Sequence, residues 1–397
     1  MPAEVTPRGR REWIRYMIHA PLATLLLALS IVLVSFLFPK IGSDIVLTDL
    51  VIGATIIASM LHIARSEWLA RDVARQVAVP VLLIGLGALI GSLYAGIRPW
   101  IIGDLVRDVA TILVFLSAID ILRRGGPVAV RFCYGALAIC IVFAAVQLAT
   151  SSGDELRASG TFPNPNVAAN LLAMSVLCWS MAPFRWAIKG SVMAFAIAGL
   201  LSAASFGSML QLGAGFGYLA LTHLDQVRTV MRGRRMIALI PALFIVVLAV
   251  FATMQISASQ NDKSGFNQAR FDRSGGLRIE VWKEAWRKVP DTPWGAGPGS
   301  VRGLDLNTLE TELHSEPLAY LVERGVIGLF GLFVMWFVLL RLAPPRSAAR
   351  AMVIAYILGS FFRETWHYRH FWLFLPLALV AAEQARRAEG VRELEYA

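Results

Sequence analysis

The chain has 397 residues, of which 57% are hydrophobic and only 16% are charged. Soluble globular domains carry about 25% charged residues, so this composition excludes an ordinary soluble protein. The formal net charge of +10 does not call for a nucleic-acid partner, because the excess Lys and Arg lie between apolar runs, where they act as an orientation signal.

Apolar runs recur along the whole chain, each long enough for the roughly 17–25 residues that cross a bilayer. The sequence therefore predicts an all-α fold: a polytopic helical membrane protein with about 12 transmembrane helices and one long periplasmic loop. Only a short gap separates the seventh and eighth runs, and merging them would place the two termini on opposite sides. The predicted spans are 19–38, 45–64, 77–97, 100–122, 127–150, 166–184, 190–204, 206–223, 235–256, 315–341, 348–365 and 368–385.

The distribution of basic residues predicts the orientation. Lys and Arg are concentrated at both termini and in every second loop, whereas the intervening short loops carry few. This bias marks the cytoplasmic side, so both termini are expected in the cytoplasm. The chain then divides into nine spans (1–256), a periplasmic loop with an amphipathic helix (257–314), and three spans with a cytoplasmic tail (315–397).

The first polar segment outside the predicted spans is GDELRASGTFPNPNVAAN, residues 153–170. Pro163 and Pro165 interrupt helix formation there. Asn166 stands where the next span needs an N-cap, and a turn with a cap explains it fully. Alternatively, Asn164 and Asn166 line a sugar site; the local chemistry leaves both interpretations open.

The long loop contains a predicted amphipathic helix over 276–288. Its apolar positions recur at helical spacing, and basic residues with Trp are typical of a helix that lies on a membrane surface. The segment WGAGPGS (294–300) predicts a turn whose backbone N–H groups could face a phosphate. The apolar positions are Leu277, Val281, Trp282, Ala285 and Trp286, and the basic ones are Arg278, Lys283, Arg287 and Lys288.

A lone histidine, His314, precedes the tenth predicted span. Pro317 fixes the start of that helix, so His314 is expected just outside the membrane, at the positive end of the helix dipole, where an anion would bind. The alternative is an interfacial residue without a role.

The tenth predicted span itself contains a charge and three glycines. Glu323 lies about two turns inside it and needs a partner there, because a charge within a span is costly. Gly325, Gly328 and Gly331 predict a smooth face for close helix packing.

Two further clusters place charges near the membrane surface. The segment FFRETWHYRHFW (361–372) has more charges among its aromatic residues than membrane anchoring requires. In the fourth predicted span, helical spacing puts Arg107 against both Asp104 and Asp108, either as a structural ion pair or as part of a site. The charged and histidine residues of 361–372 are Arg363, Glu364, His367, Arg369 and His370.

These parts occur in a specific order: RIEVWKEAWRKVPDTPWGAGPGS (278–300), then LHSEPLAYLVERGVIGLFGLF (313–333). The chain thereby resembles the O-antigen ligase and polymerase superfamily, membrane glycosyltransferases that use polyprenyl-linked sugars. The resemblance implies an enzyme of the bacterial inner membrane whose site faces the periplasm. It implies an undecaprenyl-diphosphate-linked glycan as donor, lipid A–core or another glycan as acceptor, and membrane lipids as surroundings.

The resemblance also implies roles for individual residues. His314 would be the general base, or would orient the acceptor hydroxyl, and Arg278 would stabilise the leaving diphosphate. Family members often carry a Ser-Arg pair where this chain has Ser205 and Phe206, so Arg157 or Arg107 would have to substitute. The expected substrate-binding residues are Arg363, Arg369, Asn164, Asn166, Arg157, Arg107 and Glu323.

No cofactor or metal is expected, since no Asp-x-Asp pair occurs in the outer loops and the three cysteines lie within spans without metal-site spacing. Three other functions stay open. A polymerase that joins lipid-linked repeat units shares these motifs. An oligosaccharyltransferase that glycosylates proteins is a further choice. A transporter or lipid-binding membrane protein without catalysis is the alternative from another class.

Overall fold

The computed structural model describes residues 21–35, 47–64, 67–96, 99–150, 165–203, 205–223, 279–303 and 313–395. Within these ranges every regular element is helical. The α-helices in chain order are α1 (Pro21–Leu33), α2 (Leu47–Ile63), α3 (Arg71–Ala95), α4 (Pro99–Thr150), α5 (Pro165–Trp179), α6 (Trp186–Ala203), α7 (Phe206–Thr222), α8 (279–288), α9 (Glu316–Leu342), α10 (Ala348–Ser360) and α11 (Arg369–Glu395), and a short 3₁₀ helix covers Ser300–Gly303.

Among the described residues, four helices are long and apolar enough to cross a membrane: parts of α3 and α4, and the whole of α6 and α9. Helices α1, α2, α5 and α10 are apolar but shorter. These findings support an all-helical membrane protein. The count of about 12 transmembrane helices and the periplasmic loop remain predictions, and the predicted span 235–256 lies outside the described residues.

The helix α4 covers two of the predicted spans. Its backbone leaves helical geometry at Gly126, with φ 59° and ψ −150°. Glycine adopts positive φ without steric cost. Pro127 follows it, and proline is well tolerated at the first position of a new helix. The predicted boundary between 100–122 and 127–150 is thus confirmed as a break. The short gap between the seventh and eighth predicted spans is confirmed as well, by the end of α6 and the start of α7.

The centre of the bundle is formed by α5 and the first half of α11. All residues from Ala168 to Trp179 are buried, and so are nearly all from His370 to Ala382. The three cysteines, Cys133, Cys140 and Cys178, are free and buried. By contrast, α3 exposes leucines along one side, including Leu82 and Leu93; such an apolar outer surface suits contact with lipid tails.

Polar side chains collect at the two ends of the bundle. At one end Arg123 in α4 joins three helices: its guanidinium lies 2.6 Å from the Asp72 carboxylate of α3 and 2.7 Å from the Glu383 carboxylate of α11. Next to it Arg124 pairs with the buried Asp120 at 2.7 Å. The opposite end contains the starts of α5, α7 and α9 and the loop 361–368 between α10 and α11. We call this end the site end.

Glycines allow α3 and α9 to touch backbone to backbone. A Cβ at Gly87 would lie 2.5 Å from the Arg324 carbonyl oxygen and 2.6 Å from the Gly328 nitrogen, and one at Gly331 would lie 2.9 Å from the Ile84 nitrogen. The sequence-based role of Gly328 and Gly331 in close packing is therefore confirmed. Gly325 has a different role, described below.

Gly87→Ala should destabilise the protein by about 1–3 kcal/mol, because the new methyl group has to displace backbone rather than a flexible side chain. Gly85→Ala is the matched control on the same helix, since a Cβ at Gly85 meets nothing within 4 Å. Alanine there should be neutral or stabilise the helix by up to about 1 kcal/mol. Thermal unfolding of both variants in detergent measures the difference, and equal melting temperatures would contradict the packing described here.

Candidate active site

The helix α9 is interrupted at Gly325, where φ is 63° and ψ is −168°. In an unbroken helix the Val326 N–H would donate to the Val322 carbonyl. Here the Val326 N–H donates to the Pro293 carbonyl at 3.2 Å, and the Val322 carbonyl accepts from the Ala296 N–H at 2.8 Å. The loop after α8 thus supplies partners for both backbone groups that the break releases.

This loop continues along α9 for another residue. The Gly297 N–H donates to the Glu323 carbonyl at 2.9 Å, and the Glu323 carboxylate accepts from the Val301 N–H. Gly295, at φ 93°, lies so close to α9 that a Cβ would meet the Glu323 carbonyl oxygen at 2.5 Å. The N–H groups of Ala296 and Gly297, both in the WGAGPGS segment, therefore donate to α9. The prediction that this segment presents its N–H groups to a phosphate is wrong for these two groups.

Asp108 of α4 is a buried carboxylate with three partners. Its Oδ2 lies 2.6 Å from a guanidinium nitrogen of Arg324, one residue before the α9 break. Its Oδ1 accepts from Trp366 Nε1 and pairs with His367 Nε2, both at 2.9 Å. The side chains of Arg324 and Asp108 are 2% and 12% exposed, so this is a buried ion pair that joins α4, α9 and the loop 361–368.

The expected pairing of Arg107 with both acids is therefore half wrong. Arg107 does contact Asp104, at 3.0 Å, and its side chain is 39% exposed. Asp108 instead binds Arg324 of α9. Asp108 is the direct sequence neighbour of Arg107, and adjacent residues of one helix do not face each other.

Glu316 holds the start of α9 against the same loop. Its carboxylate is buried and accepts from the Tyr356 hydroxyl of α10 at 3.0 Å. It also accepts from the backbone N–H of Thr365 at 3.0 Å and from the Thr365 hydroxyl at 2.6 Å. A buried carboxylate with three donors fixes the position of two neighbouring elements, since leaving any donor unpaired there is costly.

His314 has an unusual backbone conformation for a non-glycine residue, with φ 51°. Its neighbour Leu313 is held on both sides: the Leu313 N–H donates to the Glu364 carboxylate at 3.0 Å, and the Leu313 carbonyl accepts from Trp282 Nε1 of α8 at 2.6 Å. The His314 side chain is half-buried. The surrounding structure thus fixes the backbone that carries the imidazole, at the entrance to α9.

Arg363 reaches from the loop 361–368 to the starts of two helices. Its guanidinium donates to the Asn166 carbonyl of α5 at 2.6 Å and to the Ser205 hydroxyl at 2.6 Å. It also donates to the Ser208 hydroxyl at 3.3 Å. Ser205 is the N-cap residue of α7, yet its side chain makes no capping hydrogen bond to that helix. A cation therefore lies at the start of α7 although position 206 is Phe, and Arg363 supplies it rather than Arg107.

Two other residues of the segment 361–372 have structural partners. Arg369 forms a two-point ion pair with Asp49 of α2, at 2.6 and 2.9 Å. His370 is buried and pairs through Nε2 with the Asn170 side-chain oxygen at 2.6 Å, and Asn170 in turn donates to Gln211 at 2.7 Å. These contacts tie α11 to α2, α5 and α7.

The remaining predicted site residues, Arg278, Asn164 and Arg157, lie outside the described residues. The predicted amphipathic helix is confirmed over 279–288: Val281 and Ala285 are buried, whereas Trp286 is exposed despite its place in the apolar pattern.

Sequence reasoning gave no role to Glu316 or Arg324. Both carried a usable signal, since charges inside a predicted span need a partner. Arg324 follows Glu323 directly, and of these two residues the arginine is the one whose charge complements the Asp108 carboxylate.

Comparison with known proteins identifies a family. Residues 191–333 match the model of a family described as O-antigen ligase, and no curated protein matches the chain. The matched segment contains the α9 break, Arg324 and His314, whereas Arg363 and His367 lie beyond it. The match confirms the resemblance to the O-antigen ligase superfamily.

Arg324→Met should destabilise the protein by roughly 3–5 kcal/mol, because it leaves the Asp108 charge buried without its cation. Arg287→Gln is the control: that ion pair with Glu284 spans 3.5 Å and the Arg287 side chain is 77% exposed, so its loss should cost at most about 1 kcal/mol. Combining Arg324→Met with Asp108→Asn should recover much of the stability, because Asn removes the buried charge and keeps an oxygen that accepts from Trp366. Thermal unfolding tests this, and similar melting temperatures for Arg324→Met and the wild type would contradict it.

Proposed function

We propose that the chain is an O-antigen ligase-like glycosyltransferase of the bacterial inner membrane. It moves a glycan from undecaprenyl diphosphate to a lipid A–core or similar acceptor at the periplasmic face. The family match over 191–333, the apolar helices and the polar residues gathered at the site end support this proposal.

The observation that carries the proposal is the way His314 is held. A left-handed backbone at a non-glycine residue costs free energy and persists where neighbouring contacts enforce it, often at functional sites. Here the contacts of Leu313 with Trp282 and Glu364 enforce it. We propose that His314 acts on the acceptor hydroxyl. It is either the general base that removes the hydroxyl proton or the group that orients the hydroxyl.

Arg363 is the described residue best placed for the donor diphosphate. Its guanidinium lies between the starts of α5 and α7, where helix dipoles favour an anion. The next residue, Glu364, connects this loop to the segment of His314, because the Glu364 carboxylate accepts a hydrogen bond from the Leu313 N–H. Arg278 is proposed to add a second cation, an assignment that rests on the family motif alone.

The reaction proposed is a single displacement with inversion at the anomeric carbon. The acceptor oxygen forms a bond to that carbon while the bond from the carbon to the diphosphate oxygen breaks and leaves its electron pair on the diphosphate. The arginines stabilise the charge that accumulates there, and the hydroxyl proton passes to a base. No metal is assigned a role in this mechanism.

The depth of the loop 361–368 fits a lipid-linked donor. The helix α10 has 13 residues, which rise about 20 Å, less than the roughly 30 Å of a bilayer's apolar core. We therefore place Arg363 below the level of the headgroups, where the diphosphate of a membrane-anchored donor arrives.

A polymerase that joins lipid-linked repeat units remains the second candidate, because the matched family motif does not define the acceptor. The lipopolysaccharide profile of a deletion strain separates the two. Loss of all polymer on lipid A, with lipid-linked polymer still present, indicates a ligase; a core that carries one repeat unit indicates a polymerase. An unchanged profile would contradict both.

His314→Ala should reduce transfer by roughly 10²–10⁴-fold in purified enzyme with lipid-linked donor and acceptor, and EDTA should leave wild-type activity unchanged. His314→Asn separates chemistry from conformation, because Asn tolerates the left-handed backbone but lacks a basic imidazole. It should fold normally and be equally inactive. His223→Ala, at the opposite end of the bundle, is the control. Near-normal turnover by His314→Asn would rule out the role assigned to the imidazole.

Arg363→Lys should lower kcat by roughly 10²-fold, in line with the loss of one charge-stabilising donor, because Lys keeps the charge but lacks the planar fork that binds two oxygens at once. Arg278→Lys should behave likewise. Arg287→Ala, on the exposed side of α8, should be mild. Steady-state kinetics with lipid-linked donor measure all three, and equal losses for Arg287→Ala and Arg278→Lys would assign Arg278 to the membrane surface instead.

A further inference from the structure

The loop 361–368 carries a second imidazole, His367, that the proposed mechanism does not use. His367 Nε2 lies 2.9 Å from Asp108 Oδ1. The other oxygen of Asp108 is paired with Arg324, so the carboxylate is ionised and can only accept hydrogen bonds. The proton of a neutral His367 ring is therefore assigned to Nε2, which leaves the lone pair on Nδ1.

The His367 ring is also accessible. Its side chain is 32% exposed, whereas Asp108 is 12% exposed. This arrangement differs from that of His370, which is buried and bonded to an amide oxygen. An imidazole held by a buried carboxylate on one side and open on the other is the arrangement that lets a histidine take up a proton, because the carboxylate stabilises the resulting imidazolium.

A hydrogen bond joins the segment that carries His314 to the loop that carries His367. Glu316 accepts from the Thr365 hydroxyl at 2.6 Å; His314 precedes Glu316 by two residues, and His367 follows Thr365 by two. Two charged groups of α9 act on Asp108: Arg324 is paired with it, and Glu323 interacts with it electrostatically. Glu323 also interacts with Asp104 of α4.

We propose that His367, oriented by Asp108, is a second proton-accepting residue of this site. It takes up at Nδ1 the proton that the acceptor hydroxyl loses during transfer, while His314 orients that hydroxyl, and it then releases the proton to water. This inference rests on the proposed glycosyltransfer. In each turnover one O–H bond breaks, the oxygen keeps the electron pair for its new bond to carbon, and the proton leaves through His367.

The test compares His367→Gln with wild-type protein in lipid nanodiscs, using undecaprenyl-diphosphate-linked glycan as donor and lipid A–core as acceptor. The Gln side chain keeps a donor for Asp108 but takes up no proton. We expect an unchanged melting temperature, an unchanged KM for the donor, and a kcat lowered by roughly 10²-fold. Added imidazole should restore part of that kcat. A wild-type kcat, or a loss that imidazole leaves unrestored, would overturn the proposal.

Two further measurements keep this inference separate from the proposed function. Nitrogen NMR of labelled histidine, without substrate, should show the Nε2–H tautomer for His367 in wild-type protein. A Nδ1–H tautomer there would refute the proton route even if no transfer is detected. With His314→Asn inactive and His367→Gln fully active, the glycosyltransferase assignment stands and the role of His367 falls.

Discussion

A peptide group in an apolar layer needs a hydrogen-bond partner within the protein, and the break of α9 at Gly325 creates that need next to the site end. The segment 293–297 meets it by pairing with α9 on both sides of the break. This pairing fixes the end of α8, and Trp282 of α8 then holds Leu313 beside His314. The backbone conformation of His314 thus depends on the loop that supplies hydrogen bonds to the interrupted helix α9.

Buried charge imposes a second requirement on the same region. Arg324 and Asp108 are almost fully buried, and neither is tolerated there without the other. The remaining oxygen of Asp108 binds the indole of Trp366 and the imidazole of His367, while Glu316 binds Thr365. Hydrogen bonds to the carboxylates of Asp108 and Glu316 hold the loop 361–368 against the bundle. In this position of the loop, Arg363 reaches the starts of α5 and α7.

The site end therefore combines two kinds of polar group. One kind is structural: Glu316, Arg324 and the chain His370–Asn170–Gln211 are buried and bonded to protein partners. The other kind is partly open and suited to chemistry, namely His314 and His367. Arg363 belongs to both, since it is buried among helix starts and lies where the proposed diphosphate would bind.

The sequence by itself determined the helical class, most of the helix positions, the break at Gly126 and the buried cysteines. These features depend on the local sequence, namely on the length of each apolar run and on the adjacent glycine and proline at 126 and 127. It also pointed to His314 and Arg363 through a motif and through charges in excess at an interface. Only the tertiary structure decided that the partner of Asp108 is Arg324, and that Gly325 breaks α9 instead of smoothing its surface. It likewise placed Arg363 at the start of α7. The physical reason is that these choices depend on the rotation of each helix about its axis and on the depth of one loop, and both are set by packing between residues far apart in the chain.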